Sequence, residues 1–218
     1  LDEGGLDELE RRSRALGVTV EVGTRGIEAG RLRRNLRLAV RFRSPVLRVV
    51  TDRGRHEPTP DEVVHAVRSL MQEFSRTGIR LGIENHDRFD SETLAWIMEK
   101  IGTKFAGVCL DTVNSFGALE GPKAVVKRLA KHTVNLHLKD FRVERIGTNL
   151  GFVIRGAPAG EGRLDIPWLL GELEARKQDV SAIIELWPPR EGSIARTVEQ
   201  EEEWARRSVL NMRRHIAE

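Results

Sequence analysis

Four apolar segments of the chain each end in a side chain that can bind a metal ion. They are Leu81–Glu84, Val108–Asp111, Val134–His137 and Ala182–Glu185. A carboxylate or an imidazole at the end of a buried strand is costly unless a partner binds it. Four such ends at the spacing of strand–helix repeats predict a metal site at the C-terminal mouth of a parallel barrel.

The donor set indicates which ion this site would take. Three carboxylates and one imidazole favour Mn²⁺, Mg²⁺ or Co²⁺ over a thiolate-type zinc site, although Zn²⁺ remains an alternative. A cation would stabilise the three anionic ligands and could polarise a substrate carbonyl or enediolate oxygen. We expect one divalent metal ion, with Mn²⁺ as the first candidate. Taken singly, each carboxylate could instead cap a helix or form an ion pair, and the histidine could be a core residue.

The elements that would position these residues read as strands alternating with helices. Six strands are predicted, at Val18–Val22, Val46–Thr51, Leu81–Glu84, Gly107–Asp111, Thr133–Lys139 and Ala182–Trp187. Most are continuous apolar runs, which are typical of parallel strands covered on both faces. Asp111 follows Glu84 by 27 residues and His137 follows Asp111 by 26, and each step is one strand–helix unit.

Helix start and stop signals separate the strands. Residues 59–62 form a capping box with proline at the first helical position, and the helix they open has apolar residues as far as Phe74. Further helices are predicted from Ser91 to a stop at Gly102, after Gly121-Pro122, after Asp165, and from about Ser193 to His215.

A long interval of 48 residues separates His137 from Glu185, and its excess lies between Arg142 and Arg163. This segment contains five glycines, at positions 147, 151, 156, 160 and 162. We interpret it as a long loop on the ligand side of the barrel, which could act as a lid or a substrate wall.

Six strand–helix units do not close the usual barrel, which needs eight strands. The chain begins at Leu1, inside a helix-like pattern. We therefore expect a (β/α)8 TIM barrel forming a single domain over residues 1–218, with the N-terminal strands one and two absent from this numbering.

Composition narrows the class of protein. The net charge of +3 arises from interspersed charges, so a nucleic-acid partner is not expected. No apolar run is long enough for a membrane span, and the single cysteine, Cys109, fits a reducing, cytoplasmic location. Walker-type and dinucleotide-binding glycine motifs are absent, as is a Gly-x-Ser-x-Gly elbow, so we expect no nucleotide cofactor.

Four short segments together resemble the xylose-isomerase-like TIM-barrel superfamily, which includes AP endonuclease family 2. They are Ile83–His86, Cys109–Thr112, Leu136–Asp140 and Ile184–Trp187. The superfamily contains ketose 3-epimerases, hydroxypyruvate isomerases, inosose and dehydroshikimate dehydratases, and the endonuclease IV branch. The resemblance implies that Glu84, Asp111, His137 and Glu185 hold one divalent ion. It also implies that Glu84 and Glu185 act as the acid–base pair in an epimerase.

Six further residues are candidate substrate contacts, each with a structural alternative. They are His86, Asn114, Lys139, Arg142, Arg155 and Trp187. Asn114 stands where the epimerases carry a histidine that contacts substrate, which departs from the epimerase pattern. Lys139 could instead pair with a carboxylate, and the two arginines could belong to the surface.

The resulting functional hypothesis is a metal-dependent isomerase or epimerase of a small keto-sugar or polyol. It would abstract a proton next to a carbonyl through a metal-stabilised enediolate. The alternative is a dehydratase or other lyase of a keto-sugar or keto-inositol, which shares the first step. Less favoured are a DNA-repair endonuclease, because no Asp-x-His pair follows His137, and a non-catalytic barrel. A small carbohydrate is the expected substrate, and the oligomeric state is open, with a homodimer as one candidate.

Overall fold

The computed structural model of the protein describes residues 1–148, 150–175 and 180–216. Contacts divide the chain into two compact units, which are described separately below. The first consists of residues 1–84 and 93–109, and the second of residues 85–92 together with the described residues after 109.

Eight strands, counted over the described residues, form two sheets. They are β1 (Val22–Arg25), β2 (Val46–Val50), β3 (Arg80–Glu84), β4 (Ala106–Asp111), β5 (Thr133–Leu138), β6 (Asp140–Arg145), β7 (Phe152–Ala157) and β8 (Ser181–Ile184). The strand order in the larger sheet is β1-β2-β3-β4-β5-β8, and β6 and β7 form a separate pair.

Eight α-helices are found among the described residues. They are α1 (Glu3–Ala15), α2 (Ala29–Phe42), α3 (Pro60–Arg68), α4 (Met71–Thr77), α5 (Ser91–Ile101), α6 (Pro122–Leu129), α7 (Ile166–Ala175) and α8 (Ile194–Met212). Two short 3-10 helices cover Asn114–Ala118 and Ala130–His132.

In the first unit, β1 pairs with β2, β2 with β3 and β3 with β4, all in parallel. Helix α2 contacts β1 and β2. Its buried residues, Leu32, Leu36 and Ala39, recur every three or four positions, while its arginines lie on the other side. This amphipathic pattern explains how so arginine-rich a segment forms a packed helix.

In the second unit, the fully buried strand β5 pairs in parallel with β8. Helix α6 contacts α7, and its buried side is formed by Val125, Val126 and Leu129. The rings of Phe116 and Phe141 meet edge to face, with their centroids 4.9 Å apart. Strands β6 and β7 form an antiparallel hairpin beginning at the pair Asp140 and Ala157.

The predicted helix signals are confirmed. The Thr59 side chain accepts from the Glu62 N–H, and the Glu62 carboxylate accepts from the Thr59 N–H, as in a capping box. Gly102 follows α5 with a positive φ of 64°. Ser193 caps α8, and the Asp165 carboxylate accepts from the Trp168 N–H at the start of α7.

Three predictions of secondary structure before β3 differ from the structure. The first strand was expected at Val18–Val22, but β1 occupies Val22–Arg25, and Val18 is 58% exposed. The alternating valines before Val22 resemble a strand, yet the backbone that pairs with β2 is the polar stretch that follows. Helix α2 was not predicted, because arginines separate its apolar residues in the sequence and make the segment look polar. The helix expected to run on to Phe74 is two helices, α3 and α4, with Ser69 and Leu70 between them.

The expected long loop between Arg142 and Arg163 is also corrected, because most of it is the β6–β7 hairpin. Glycine at position 156 suits this hairpin, since a side chain there would collide with the backbone carbonyl of Trp187. The strand predicted over Ala182–Trp187 ends at Ile184, so Glu185 and Trp187 follow it. The α/β class and the parallel strand pairing are confirmed, whereas the single domain stays a prediction. Among the described helices, none combines the length and the apolar character that spanning a membrane requires.

Candidate metal site

Three of the four predicted ligands belong to the second unit, which brings them together. Asp111 ends β4, His137 lies in β5 and Glu185 directly follows β8. Each offers one ligand atom, and these atoms lie within 4.8 Å of one another. The backbone N–H of Glu185 donates to the carbonyl of Leu138, which extends the β5–β8 pairing by one residue and fixes the start of the Glu185 side chain.

Asp111 is the most deeply buried ligand candidate. Its Oδ1 accepts the backbone N–H groups of Val113 and Asn114, at 2.8 Å each, so the chain turns tightly at the end of the strand. Its Oδ2 is buried and accepts no hydrogen bond of good geometry from the described residues. A buried carboxylate oxygen without such a hydrogen bond needs a nearby cation to compensate its negative charge.

Lys139 supplies positive charge at this point. Its Nζ lies 2.9 Å from Asp111 Oδ2 and 3.3 Å from Glu185 Oε1, and it donates a 3.1 Å hydrogen bond to Asn114 Oδ1. Burial alone would lower the pKa of Lys139, but Asp111 and Glu185 outweigh burial and raise the pKa above its ordinary value. The ammonium therefore stays protonated at neutral pH.

His137 and Glu185 form a direct pair, with Nδ1 of the imidazole 2.9 Å from Oε2 of the carboxylate. This hydrogen bond is the main cause that lowers the pKa of Glu185 to about 2, against the opposing effect of burial and with the help of Lys139. The Glu185 side chain is 41% exposed, whereas that of His137 is only 7% exposed. The carboxylate is therefore ionised, and one side of it is open to a ligand.

Glu84, the fourth predicted ligand, ends β3 in the first unit. Its side chain is 5% exposed, and its Oε2 lies 3.3 Å from Nε of Arg48 on β2. In the pairing of β3 with β4, Glu84 stands opposite Cys109. A buried carboxylate is thus placed at the C-terminal end of its strand, as the sequence predicted.

Two supporting residues of the second unit were missed by sequence reasoning. Asn85 is fully buried, and its amide donates to the Asp111 carbonyl at 2.8 Å and accepts from the Asp111 N–H at 2.7 Å. The Thr112 hydroxyl accepts from the Lys139 N–H and donates to the Lys139 carbonyl. These bonds fix the backbone on either side of the ligands. Each residue adjoins a predicted ligand and lies in one of the quoted motif segments, but no role was assigned to it there.

Asp140 was quoted in the sequence motif without a role, and it organises the segment after the hairpin. Its carboxylate accepts four backbone N–H groups, those of Phe141, Gly160, Gly162 and Leu164. A side chain at Gly162 would collide with this carboxylate, which explains one glycine of the glycine-rich segment. The role of Asp140 is therefore structural, and it ties β6 to the chain that follows β7.

The six predicted substrate contacts divide into two groups. Lys139 and Asn114 adjoin the three ligands, as described above. The others have contacts elsewhere in the second unit: the His86 imidazole contacts the Asp87 carboxylate, and the Trp187 indole donates to the Asp140 carbonyl at 3.1 Å.

The two arginines among these candidates are cross-strand neighbours in the hairpin. Arg142 lies 3.7 Å from a Glu161 carboxylate oxygen, and Nε of Arg155 lies 3.2 Å from that of Glu144. Both arginine side chains are about half exposed. Their role in substrate binding stays a prediction.

The chemistry of the second-unit cluster fits a divalent cation. Two carboxylates and one imidazole converge, and Oδ2 of Asp111, although 2.9 Å from the Lys139 ammonium, accepts no hydrogen bond of good geometry from the described residues. Oxygen and imidazole donors suit Mn²⁺, Mg²⁺ or Zn²⁺. The lysine beside them could contact a polar substrate atom held at the same place.

The chain resembles known proteins both in sequence and in structure. The chain is 32% identical over 209 residues to the 3-oxo-isoapionate decarboxylase of Pectobacterium atrosepticum, a match that covers 96% of this chain and 76% of that protein. Among solved structures, a D-psicose 3-epimerase determined in the presence of D-fructose has a TM-score of 0.72 at 13% identity, covering 98% of this chain and 84% of that one.

A xylose isomerase-like TIM barrel protein from Mycobacterium smegmatis, in complex with magnesium, has a TM-score of 0.66 at 12% identity. That match covers 97% of this chain and 80% of the other. These structural likenesses confirm the TIM-barrel fold class. A family model described as xylose isomerase-like TIM barrel matches residues 24–215. The chain therefore belongs to the xylose isomerase-like TIM-barrel family, the superfamily that its strand-end motifs resemble.

Proposed function

We propose that this protein is a divalent-metal-dependent lyase that decarboxylates a small 3-oxo sugar acid. The observation that carries the proposal is the 32% identity to a 3-oxo-isoapionate decarboxylase across 96% of the chain. The epimerase structure is only 13% identical, so it supports the fold and not the reaction. The proposal therefore prefers the lyase alternative to the isomerase.

The proposed metal ligands are Glu84, Asp111, His137 and Glu185. Support comes from their chemistry as a group, since three carboxylates and an imidazole could hold a metal ion. When bound, a divalent ion would supply positive charge to the substrate carbonyl oxygen. Mn²⁺ remains our first candidate, because the donor set is rich in oxygen.

The proposed reaction breaks the bond between C1 and C2 of a 3-oxo acid. Carbon dioxide leaves, and the electron pair of the broken bond moves between C2 and C3 while the C3 oxygen takes the negative charge. A proton then returns to C2, and the product is a ketone one carbon shorter. Negative charge on an oxygen is stabilised by hydrogen-bond donors that are already oriented.

Lys139 suits the role of that donor. Its ammonium is held by Asn114, and its pKa is raised, so it carries a proton at neutral pH. We assign Lys139 to the C3 oxygen of the substrate, with Asn114 orienting the ammonium. In this proposal Asn114, which stands where the epimerases carry a histidine, orients the Lys139 ammonium.

An isomerase or epimerase is the second candidate. It is favoured by the two glutamates of the ligand group, Glu84 and Glu185, which could act as an acid–base pair on a keto-sugar. The two reactions differ in the bond that breaks, which is carbon–carbon in the lyase and carbon–hydrogen in the epimerase. A small carbohydrate is the substrate in either case, and a homodimer remains a proposal.

The test is to incubate the Mn²⁺-loaded protein in D₂O, in separate reactions, with 3-oxo-isoapionate and with neutral keto-sugars such as D-fructose. Carbon dioxide release with one deuterium incorporated into the product would support the lyase. Deuterium exchange or epimer formation in the keto-sugar without carbon dioxide release would favour the epimerase. The absence of both reactions would contradict both proposals.

A further inference from the structure

Arg48 lies in the middle of β2, in the first unit, and its side chain is 30% exposed. Its Nε is 3.3 Å from Oε2 of Glu84, the proposed ligand at the end of β3. The other residues of β2 are valines and a leucine, all buried. An arginine among buried apolar residues costs folding free energy unless a partner compensates its charge.

The local sequence leaves room for this arginine. In the strand register, Arg48 stands opposite Gly23 of β1 and Gly82 of β3. A Cβ atom at Gly23 would lie 3.3 Å from the guanidinium carbon of Arg48. Glu84 is two residues after Gly82, so it projects from the same face of the sheet as Arg48. Two neighbours without side chains thus allow the guanidinium to reach diagonally to Glu84.

Most of the hydrogen-bonding capacity of Arg48 is unused within the described chain. A guanidinium has five N–H donors, and the contact with Glu84 is the 3.3 Å approach of Nε to Oε2. The ion pair with Glu84 is the one polar contact that the Arg48 side chain makes among residues 1–148, 150–175 and 180–216. The two terminal nitrogens form a planar fork, which matches the two oxygens of a carboxylate.

We propose that Arg48 binds the carboxylate of an acidic substrate and so selects sugar acids over neutral sugars. This inference rests on the proposed function, because it places the leaving carboxylate beside a proposed metal ligand. A purely structural arginine would only orient Glu84. The two roles differ in one respect: selection acts on charged ligands alone, whereas the orientation of Glu84 affects every ligand.

The test measures binding rather than turnover. Erythronate is a four-carbon sugar acid that has no 3-oxo group and cannot lose carbon dioxide, and erythritol is its neutral counterpart. Both are titrated calorimetrically into the Mn²⁺-loaded wild-type protein, Arg48→Met, Arg48→Lys and Arg33→Met. The last is the control, because Arg33 forms a half-exposed ion pair with Glu73 in the same unit.

We expect the wild-type protein and Arg33→Met to bind erythronate more tightly than erythritol. Arg48→Met should lose this preference by roughly ten- to hundred-fold, the effect of a charge-assisted hydrogen bond. Arg48→Lys should keep part of the preference, which provides a second readout if the methionine variant does not fold.

Equal affinities of the wild-type protein for the two ligands would overturn the inference, and so would equal losses for both in Arg48→Met. Neither ligand can be decarboxylated, so the binding result does not depend on the outcome of a decarboxylation assay. Failure of this inference can therefore be told apart from failure of the proposed function.

Discussion

The ammonium of Lys139 lies 2.9 Å from Oδ2 of Asp111, the buried carboxylate oxygen that lacks a well-formed hydrogen bond. The same ammonium is 3.3 Å from Oε1 of Glu185. A fixed cation thus stands between two carboxylates that we propose as metal ligands. The structure therefore contains an internal counter-charge for the site, and the predictions below start from this arrangement.

Replacing Lys139 with methionine should destabilise the metal-free protein and abolish turnover. The buried Asp111 carboxylate would lose its counter-charge, which we expect to cost about 1–3 kcal/mol of unfolding free energy. Added Mn²⁺ should restore much of this loss, because the ion replaces the missing charge. Thermal unfolding with and without Mn²⁺ measures both effects. Lys127→Met, on the exposed side of α6, is the control, and an equal change in that variant would contradict the account.

His137→Ala should weaken metal binding at least ten-fold, because the substitution removes one of four proposed ligands. It also removes the partner of Glu185 at 2.9 Å. Isothermal titration with Mn²⁺ gives the affinity and the stoichiometry. His65→Ala, on the exposed side of α3, should behave as the wild-type protein. Unchanged Mn²⁺ affinity in His137→Ala would remove this histidine from the site.

Glu185→Gln should keep the fold and lower kcat/KM at least a hundred-fold. Glutamine preserves the size of the side chain but removes the charge that a cation and Lys139 require. The 41% exposure of Glu185 makes a general loss of stability unexpected. Steady-state kinetics and circular dichroism are compared with those of Glu174→Gln, an exposed position in α7. Near-normal turnover would show that Glu185 is not essential.

Asn85→Asp should destabilise the protein by about 1–3 kcal/mol, the cost of buried polar groups left without partners. The amide nitrogen of Asn85 donates to the Asp111 carbonyl and to the Ser115 hydroxyl, and a carboxylate cannot donate to either. Urea unfolding measures this change. An unaltered unfolding midpoint would mean that these two buried hydrogen bonds contribute nothing to the support of Asp111.

The positions of the four proposed metal ligands at or beside the C-terminal ends of strands could be predicted, because each follows a mostly apolar run. Glu84, Asp111 and His137 follow one another by 27 and 26 residues, which is the length of one strand–helix unit. The capping box at Thr59 and the stop at Gly102 were readable for a similar reason, since both signals are local. Such features depend on neighbouring residues and need no knowledge of the tertiary structure.

Other features could not be read from the sequence, because they depend on distant partners. The alternating valines before Val22 suggested a strand, yet pairing with β2 selects the polar residues after them. The glycines between Arg142 and Arg163 suggested a loop, although cross-strand pairing forms a hairpin there. The buried bonds of Asn85 involve backbone groups 26 residues away, and no local pattern reports them.

The most direct test of the central claim is carbon dioxide release from 3-oxo-isoapionate, measured before and after the metal is removed with a chelator. The account predicts release by the Mn²⁺-loaded protein, loss of release from the stripped protein, and recovery when Mn²⁺ is returned. It also predicts that His137→Ala needs a higher Mn²⁺ concentration for the same rate. Release that persists unchanged in the stripped protein, or no release under any of these conditions, would contradict a metal-dependent decarboxylase.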